Sequence, residues 1–147
     1  MYSVILNSTM KEGIHLSNWY TEKTSQVVYP PFGVIGFMDN QTLDIKGVMV
    51  FTNYNGFNIE AHMYMPNCLN RKAIKDILNY IFNTLKCTRL TAIVPRSNKK
   101  LLKVMPKLKF VFETVLIRWY GPFKKDDGIV YRMTSKEASN WIQVNGY

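Results

Sequence analysis

The stretch "NRKAIKDILNYIFNTLKCTRLTAIVP", residues 70–95, contains the change of periodicity that decides the fold. Up to residue 86, apolar residues recur at helical spacing, which predicts one apolar face on a helix of more than four turns. Asn70 is a good N-cap for this helix, and Lys86 suits its C-terminal end. The compact apolar run 89–95 then predicts a buried strand. The apolar face consists of Ala73, Ile74, Ile77, Leu78, Ile81, Phe82 and Leu85.

Three strand-like runs precede this helix, at 32–39, 43–53 and 57–65. The turn signals DNQ and YNG separate them, and such short connections predict an antiparallel meander. Gly47, inside the second run, indicates a β-bulge. Because the third run, the helix and the run 89–95 form a β–α–β unit, these two strands are expected to be parallel.

The first thirty residues carry weaker signals. The run YSVIL, residues 2–6, fits a short strand, and residues 17–28 fit a helix with Ser17 as a candidate N-cap. The tripeptide YPP at 29–31 marks a break, because proline disfavours helical backbone in the residue before it.

A second helix and a hairpin are predicted after the strand at 89–95. Asn98 can cap a helix over 98–110, and Pro106 is expected to end or kink it. The remaining elements are a long hairpin formed by 110–121 and 128–134, and a short helix over 135–142 that opens with Ser135. The sequence has no repeat, low-complexity segment or linker, so this order predicts one α+β domain over residues 1–147.

The composition limits the class of partner. A chain of 147 residues with 47% hydrophobic residues suits a single folded domain. Its formal net charge is +9, from 19 Lys and Arg against 10 Asp and Glu. This excess favours an anionic partner, which includes nucleic acid, an acidic protein surface or a phosphorylated ligand. The same charge also serves solubility alone, and the composition leaves both interpretations open.

Cysteine usage and hydropathy favour a cytoplasmic protein. Cys68 and Cys87 are interpreted as free thiols in a reducing compartment, because two cysteines make no disulfide scaffold at this size. With only His15 and His62 to help, no metal site is expected. The N-terminus lacks the basic start and long apolar run of a signal peptide, and no apolar run reaches membrane-spanning length.

Four segments between Glu60 and Met133 carry a resemblance to a known family. They read AIKDILNYIFNTLKCTRLTAIV, RSNKK, KLKFVFE and DDGIVYRM, in that order along the chain. Their order and spacing resemble those of the GCN5-related N-acetyltransferases (GNAT), and look most like the compact members found in bacteriophage genomes and their bacterial relatives. The matched block covers about half of the chain.

The resemblance implies a fold and an activity. The fold is the GNAT-like acyl-CoA N-acyltransferase fold: a mixed, mostly antiparallel sheet with a central βαβ crossover and splayed parallel strands, here 57–65 and 89–95. The activity is direct transfer of an acetyl group from acetyl-CoA to a primary amine of a protein or small molecule.

The resemblance also implies where coenzyme A binds. Its pantetheine arm would lie along the strand that ends at Met63, Tyr64 and Met65. Its pyrophosphate would meet the amides at the start of the following helix, with charge added by Arg71 or Lys72. Asn98 occupies the position of an Asn that follows the fifth strand in the family. The predicted coenzyme-binding residues are Met63, Tyr64, Met65, Leu69, Asn70, Arg71, Lys72, Ala73, Asn98, Lys100 and Leu101.

Two candidate general bases lie on one predicted strand. Glu60 and His62 are two residues apart, so they share a face of that strand. Family members often use a Glu, or a water held by one, near this place, and imidazole titrates near neutral pH. The alternative is that one lines the core and the other faces solvent.

The sequence departs from the family at three positions. Met105 stands near where many members place a proton-donating Tyr, and Met cannot donate a proton. Lys109 stands where most members have Gly, and no glycine precedes Asn70. These departures keep two alternatives open. One is a catalytically degenerate GNAT fold that serves as a virion or host-interaction component of a phage, in the host cytoplasm. The other is a nucleic-acid-modifying member, for which the net charge and the hairpin residues Arg118, Trp119, Tyr120 and Phe123 argue. A homodimer is a further open alternative.

Overall fold

The computed structural model describes residues 2–6, 10–28, 32–64 and 70–145. The elements follow the predicted order of meander, helix, strand, helix and hairpin. The strands are β1 (Tyr2–Leu6), β2 (Phe32–Asp39), β3 (Ile45–Thr52), β4 (Asn58–Tyr64), β5 (Arg89–Pro95), β6 (Val111–Leu116) and β7 (Gly128–Thr134). The helices are α1 (Met10–Thr24), α2 (Arg71–Asn79), α3 (Lys99–Val104) and α4 (Ser135–Ala138), with a π-helical turn at Tyr80–Thr84 and a 3-10 turn at Lys124–Asp126.

The chain forms two compact units that have β4 in common. The first unit contains Met1–Asn53 and Ala61–Ile74, and the second contains Tyr54–Glu60 and Lys75–Tyr147. The strand order is β1-β2-β3-β4-β5-β7-β6, so the first part of β4 lies in the unit of β5 and the last part in the unit of β3. The sheet is mostly antiparallel with one parallel pair, which confirms the predicted fold class.

The first unit is the antiparallel meander with α1 packed on it. β1 pairs with β2 from Tyr2↔Asp39 to Leu6↔Ile35, and β2 pairs with β3. The register of the second pair shifts by one residue at Lys46, next to Gly47, which confirms the predicted bulge. The core of this unit consists of Leu16 and Tyr20 from α1 with Val34, Val48 and Val50 from the sheet.

The interpretation of Ser17 as an N-cap is wrong. α1 begins at Met10, so Ser17 lies inside the helix and is buried. Its hydroxyl donates to the carbonyl oxygen of Ile14, 3.0 Å away, one turn back along the helix. A serine hydroxyl serves either role, and local sequence does not distinguish them.

The second unit contains the antiparallel set β5, β7 and β6. β5 pairs with β7 from Arg89↔Thr134 to Pro95↔Gly128. β6 pairs with β7 with a one-residue bulge at Glu113. Met105, beyond the end of α3, is buried against one face of these strands. The strand residues of this core are Ala92, Val94, Ile129 and Tyr131.

The helix predicted over 70–86 is present, but it changes from α-helical to π-helical near its end. The α-helical part is Arg71–Asn79, and Tyr80–Thr84 forms the π-helical turn, in which the Leu85 N–H donates to the Tyr80 carbonyl at 2.8 Å. Lys86 then adopts a left-handed conformation, with φ of 57°, and the chain turns into β5.

Strand boundaries match the prediction most closely where apolar runs are short and bounded. β2, β5 and β7 coincide with 32–39, 89–95 and 128–134. β3 starts two residues later than predicted, because Leu43 lies in the preceding turn with φ of 62°. The first strand of the hairpin ends at Leu116. Met65, the last residue of the predicted third strand, lies outside the described residues.

The last helix opens at Ser135, as predicted, and ends at Ala138, before the predicted residue 142. Its N-cap is Thr134, whose hydroxyl accepts from the Glu137 N–H at 3.2 Å while the Glu137 carboxylate accepts from the Thr134 N–H at 3.1 Å. This is a capping box, and it places Ser135 inside the helix as a buried first residue. Within the described ranges, no helix is long and apolar enough to cross a membrane.

Alanine substitutions at two glycines of β2 test how closely α1 packs on the sheet. A Cβ at Gly36 would lie 2.7 Å from Leu16 Cδ2, whereas a Cβ at Gly33 would lie 3.8 Å from Phe51 Cβ. We expect Gly36→Ala to lower the free energy of unfolding by about 1–3 kcal/mol, because the buried Leu16 must move. Gly33→Ala should change it by less than about 0.5 kcal/mol. Urea denaturation of both variants measures the difference, and equal effects would contradict the packing argument.

Candidate functional site

The candidate residues of the first unit lie at the end of β4. His62 is half-buried, and its Nε2 lies 3.1 Å from Oγ1 of Thr52 on the neighbouring strand β3. Met63 and Tyr64 follow, both half-buried. The Tyr64 ring packs against Trp19 of α1 with centroids 5.8 Å apart. The imidazole of His62 is therefore held in place by a cross-strand hydrogen bond.

Glu60, the other candidate base, belongs to the second unit. It is half-buried, as is Asn58 two residues earlier, whereas Ile59 and Ala61 are buried. This alternation is the one expected for a strand with one polar face. Asn58 Oδ1 accepts a hydrogen bond from the buried Thr91 hydroxyl of β5 at 2.7 Å. The roles of Glu60 and His62 as bases remain predictions.

The start of α2 is capped as predicted. Asn70 Oδ1 accepts the Ala73 N–H at 2.8 Å, and the Asn70 carbonyl accepts the Ile74 N–H at 3.0 Å. The amide of Ala73 is thus engaged by the cap in this conformation. Arg71 and Lys72 are exposed. The predicted coenzyme contacts of Met65 and Leu69 lie outside the described residues.

Asn98 is the N-cap of α3. Its Oδ1 accepts the Leu101 N–H at 3.2 Å, and Asn98 N–H donates to the Pro95 carbonyl at 2.9 Å. The side chain of Leu101 packs against the core of the second unit, whereas Lys100 is exposed. Capping leaves the Nδ2 amino group of Asn98 as the part of this side chain suited to donate to a ligand.

Residues 99–110, which form α3 and the turn after it, contain no tyrosine, and Met105 is fully buried in the core and has no proton to donate. Tyr120 supplies a phenol elsewhere in the same unit. Its hydroxyl donates to the Ile93 carbonyl of β5 at 3.1 Å, and the residue is half-buried. From the sequence, Tyr120 is only one of several hairpin aromatics, since no spacing rule links residues 27 positions apart.

Lys109 retains the backbone conformation of the glycine that the resemblance leads one to expect. Its φ is 70°, in the left-handed region that glycine adopts without steric cost. Its N–H donates to the Pro106 carbonyl at 3.0 Å, which closes the turn after α3. The departure from glycine therefore changes the side chain and leaves the turn in place.

A buried carboxylate fastens the β6–β7 loop, residues 117–127, to the end of β5. Asp127 Oδ1 accepts both the backbone N–H and the guanidinium of Arg118 at 2.8 Å, and Arg96 Nε lies 3.4 Å from Oδ2. Asp127 is 4% exposed. The Arg118 N–H lowers the pKa of Asp127, helped by the guanidinium of Arg118 and the charge of Arg96.

The structure describes one of the two cysteines that were predicted to be free thiols. Cys87 is a buried free thiol whose pKa is raised by burial, and Cys68 lies outside the described residues. In the ranges that the structure covers, no group of three or more His, Cys, Asp or Glu side chains could hold a metal ion.

Solved acetyltransferase structures are similar to this chain. A spermidine/spermine N-acetyltransferase SpeG from Vibrio cholerae gives a TM-score of 0.70 at 14% identity, covering 97% of this chain and 100% of that chain. A dodecameric structure of the spermidine N-acetyltransferase from Vibrio cholerae gives 0.71 at 12%, covering 95% of each chain. A proposed acetyltransferase from T. thermophilus gives 0.65 at 18%, covering 76% of this chain and 63% of that one. No protein-family model and no curated protein matches the sequence. At such identities the likeness establishes the fold, which is the one that the resemblance predicted.

We expect Asp127→Asn to destabilise the protein at neutral pH and to matter less in acid. A depressed carboxyl pKa contributes stability that is present above the unfolded pKa and is lost as pH falls through the folded one. The wild-type advantage in free energy of unfolding should therefore shrink below about pH 4. Urea denaturation at pH 6 and pH 3 measures it, and an advantage that is unchanged at pH 3 would contradict the assignment.

Proposed function

We propose that this protein is an acetyl-CoA-dependent N-acetyltransferase. The observation that carries the proposal is a fold shared over nearly the whole chain with N-acetyltransferases. In the reaction, the nitrogen lone pair of a primary amine attacks the thioester carbonyl and the C–S bond breaks. The products are an N-acetyl amide and coenzyme A, and the proton lost by the amine balances the one gained by the thiolate.

Each unit supplies its own candidate contacts for coenzyme A. In the first unit, Met63 and Tyr64 offer the end of β4 to the pantetheine arm, and the start of α2 offers backbone dipoles and the charges of Arg71 and Lys72 to the pyrophosphate. Engagement of the Ala73 amide requires the Asn70 side chain to release it. In the second unit, Asn98 Nδ2 can donate to an amide carbonyl of the arm, and Lys100 adds charge. Met65, Leu69 and Leu101 remain proposed contacts on the basis of the resemblance.

Proton transfer would use groups that stand on β4 and near β5. Glu60 or His62 accepts the proton from the acceptor ammonium, directly or through water. The Tyr120 phenol is our candidate for returning a proton to the leaving thiolate, in place of the missing tyrosine of α3. Its single hydroxyl proton is donated to the Ile93 carbonyl in this conformation, so protonation of the thiolate requires the phenol to leave that bond.

The origin, location and assembly of the protein belong to the same proposal. We infer a compact bacteriophage-type member that works in the cytoplasm, on the strength of the sequence resemblance. The dodecameric state described for the Vibrio cholerae enzyme makes self-association, in the simplest case as a homodimer, part of the proposal.

Calorimetric titration with acetyl-CoA tests coenzyme binding directly. We expect a saturable one-site isotherm with a dissociation constant at or below the millimolar range. Arg71→Ala combined with Lys72→Ala should weaken binding, because two charges next to the proposed pyrophosphate site are lost. Lys46→Ala, an exposed cation on β3, is the control. No heat of binding at millimolar acetyl-CoA would refute the proposed function.

Single substitutions identify the groups that transfer protons. Glu60→Gln, His62→Gln and Tyr120→Phe should lower kcat by about 10²–10⁴-fold wherever the group acts as base or acid, with acetyl-CoA affinity retained. His15→Gln, which changes an exposed residue of α1, is the matched control and should be silent. Thiol release measured over a panel of amines gives the rates. Binding without transfer to any amine would support the degenerate binding module instead.

A further inference from the structure

The π-helical turn at Tyr80–Thr84 goes against the local sequence pattern. The apolar spacing predicts an α-helix that continues to residue 86 and places Leu85 on the same face as Ile81 and Phe82. In the structure Ile81 and Phe82 are buried, whereas Leu85, which follows the wider turn, is only half-buried. π-Helical turns are rare, and a departure from local preference is expected where tertiary contacts hold a functional or strained element.

The C-terminal segment 139–145, which we call the strap, is bound to this turn by one side chain. The Asn83 Nδ2 group donates to the Gln143 carbonyl at 2.9 Å, and Asn83 Oδ1 accepts the Asn145 N–H at 2.9 Å. The Nδ2 group also donates to Asn79 Oδ1 at 2.9 Å. Because a backbone carbonyl only accepts and a backbone N–H only donates, the two strap partners determine which way the Asn83 amide points.

The strap is also attached to a second part of the same unit. The Trp141 Nε1–H group donates to the Leu108 carbonyl at 2.8 Å, in the turn after α3. Val144 is 4% exposed, and Trp141 and Ile142 are half-buried. The strap therefore joins the turn after α3 to the end of α2 by hydrogen bonds and by buried apolar side chains.

A second arrangement of the end of α2 differs from this one by a change of hydrogen-bond partners. The Leu85 N–H donates to the Tyr80 carbonyl, five residues back, whereas in an α-helix it would donate to the Ile81 carbonyl, four residues back. The Ile81 carbonyl instead accepts the Cys87 N–H at 3.1 Å. Loss of the extra residue from the turn would rotate the helix end by about 100°, the angle per residue of an α-helix. Because Asn83 lies inside the widened turn, part of this rotation would carry its amide away from the strap.

We propose that the strap and the π-helical turn form a two-state conformational latch. When the strap is bound to Asn83, it holds the end of α2 in the π-helical arrangement, and when it is released the helix continues as an α-helix to Leu85. α2 is also the helix whose start is proposed to meet the pyrophosphate, so the strap contacts the continuation of that helix at its other end. The latch itself is a property of the fold and does not depend on the proposed function.

Nuclear magnetic resonance on the full chain measures both parts of the latch. Scalar coupling across hydrogen bonds identifies the carbonyl that accepts the Leu85 N–H, and amide hydrogen exchange at Asn145 reports release of the strap. Asn83→Ala removes the amide that binds the strap. Val144→Asp places a charge at a buried position of the strap and releases it without any change in the helix. In both variants we expect the acceptor of the Leu85 N–H to move from the fifth residue back to the fourth, and Asn145 to exchange about tenfold faster or more.

Asn79→Ala is the matched control, because it gains the same helix propensity one turn earlier and leaves both bonds to the strap intact. It should keep the Tyr80 acceptor and the slow exchange of Asn145, and circular dichroism establishes that each variant is folded. Persistence of the Tyr80 acceptor in both released variants would overturn the inference, because the turn would then be intrinsic to the helix. A change of acceptor in Asn79→Ala would also overturn it, as would unchanged Asn145 exchange in Asn83→Ala.

Discussion

The structure depends on the register of β4, a strand that both units contain. Its first residues are tied to β5, where the Thr91 hydroxyl donates to Asn58, and its last residues to β3, where Thr52 meets His62. Because side chains alternate along a strand, a slip of one residue at either end would exchange the buried positions with those of Glu60 and His62. Two separate cross-strand hydrogen bonds therefore help to determine which residues of β4 are buried and which lie on the half-buried face with Glu60 and His62.

Much of the fold could be predicted because local patterns of apolar residues specify its individual helices and strands. The helical spacing before residue 86 and the bounded apolar runs at 89–95 and 128–134 each specify one element without reference to the rest of the chain. The start of α1 could not be found in this way. Met10 lies in a polar segment, and Ser17 has the chemistry of a cap but bonds back to Ile14 inside the helix. A serine hydroxyl can either cap a helix or bond back to a carbonyl within it, and only the tertiary structure shows which of the two occurs.

The candidate site shows the same division between local and distant information. Both caps, Asn70 and Asn98, are readable from the sequence, since a cap is defined by its own helix. A cap also implies that its side-chain oxygen accepts an N–H of its own helix, and the structure shows this bond at both residues. Tyr120 and the clamp around Asp127 join segments far apart in sequence, and only the folded loop shows that they belong to one rigid structure.

The three departures from the family pattern differ in what they change. Lys109 keeps the left-handed backbone of a glycine, so the turn survives and the cost is limited to about 1–2 kcal/mol of steric strain. The loop before Asn70, where the resemblance leads one to expect glycine, lies outside the described residues. Met105 is different, because it stands near where the resemblance leads one to expect a tyrosine, and its fully buried thioether has no proton to donate in any conformation. A fold can accommodate the first kind of departure, whereas the second leaves no phenol at position 105; the Tyr120 hydroxyl, which donates to the Ile93 carbonyl, belongs to a different segment of the same unit.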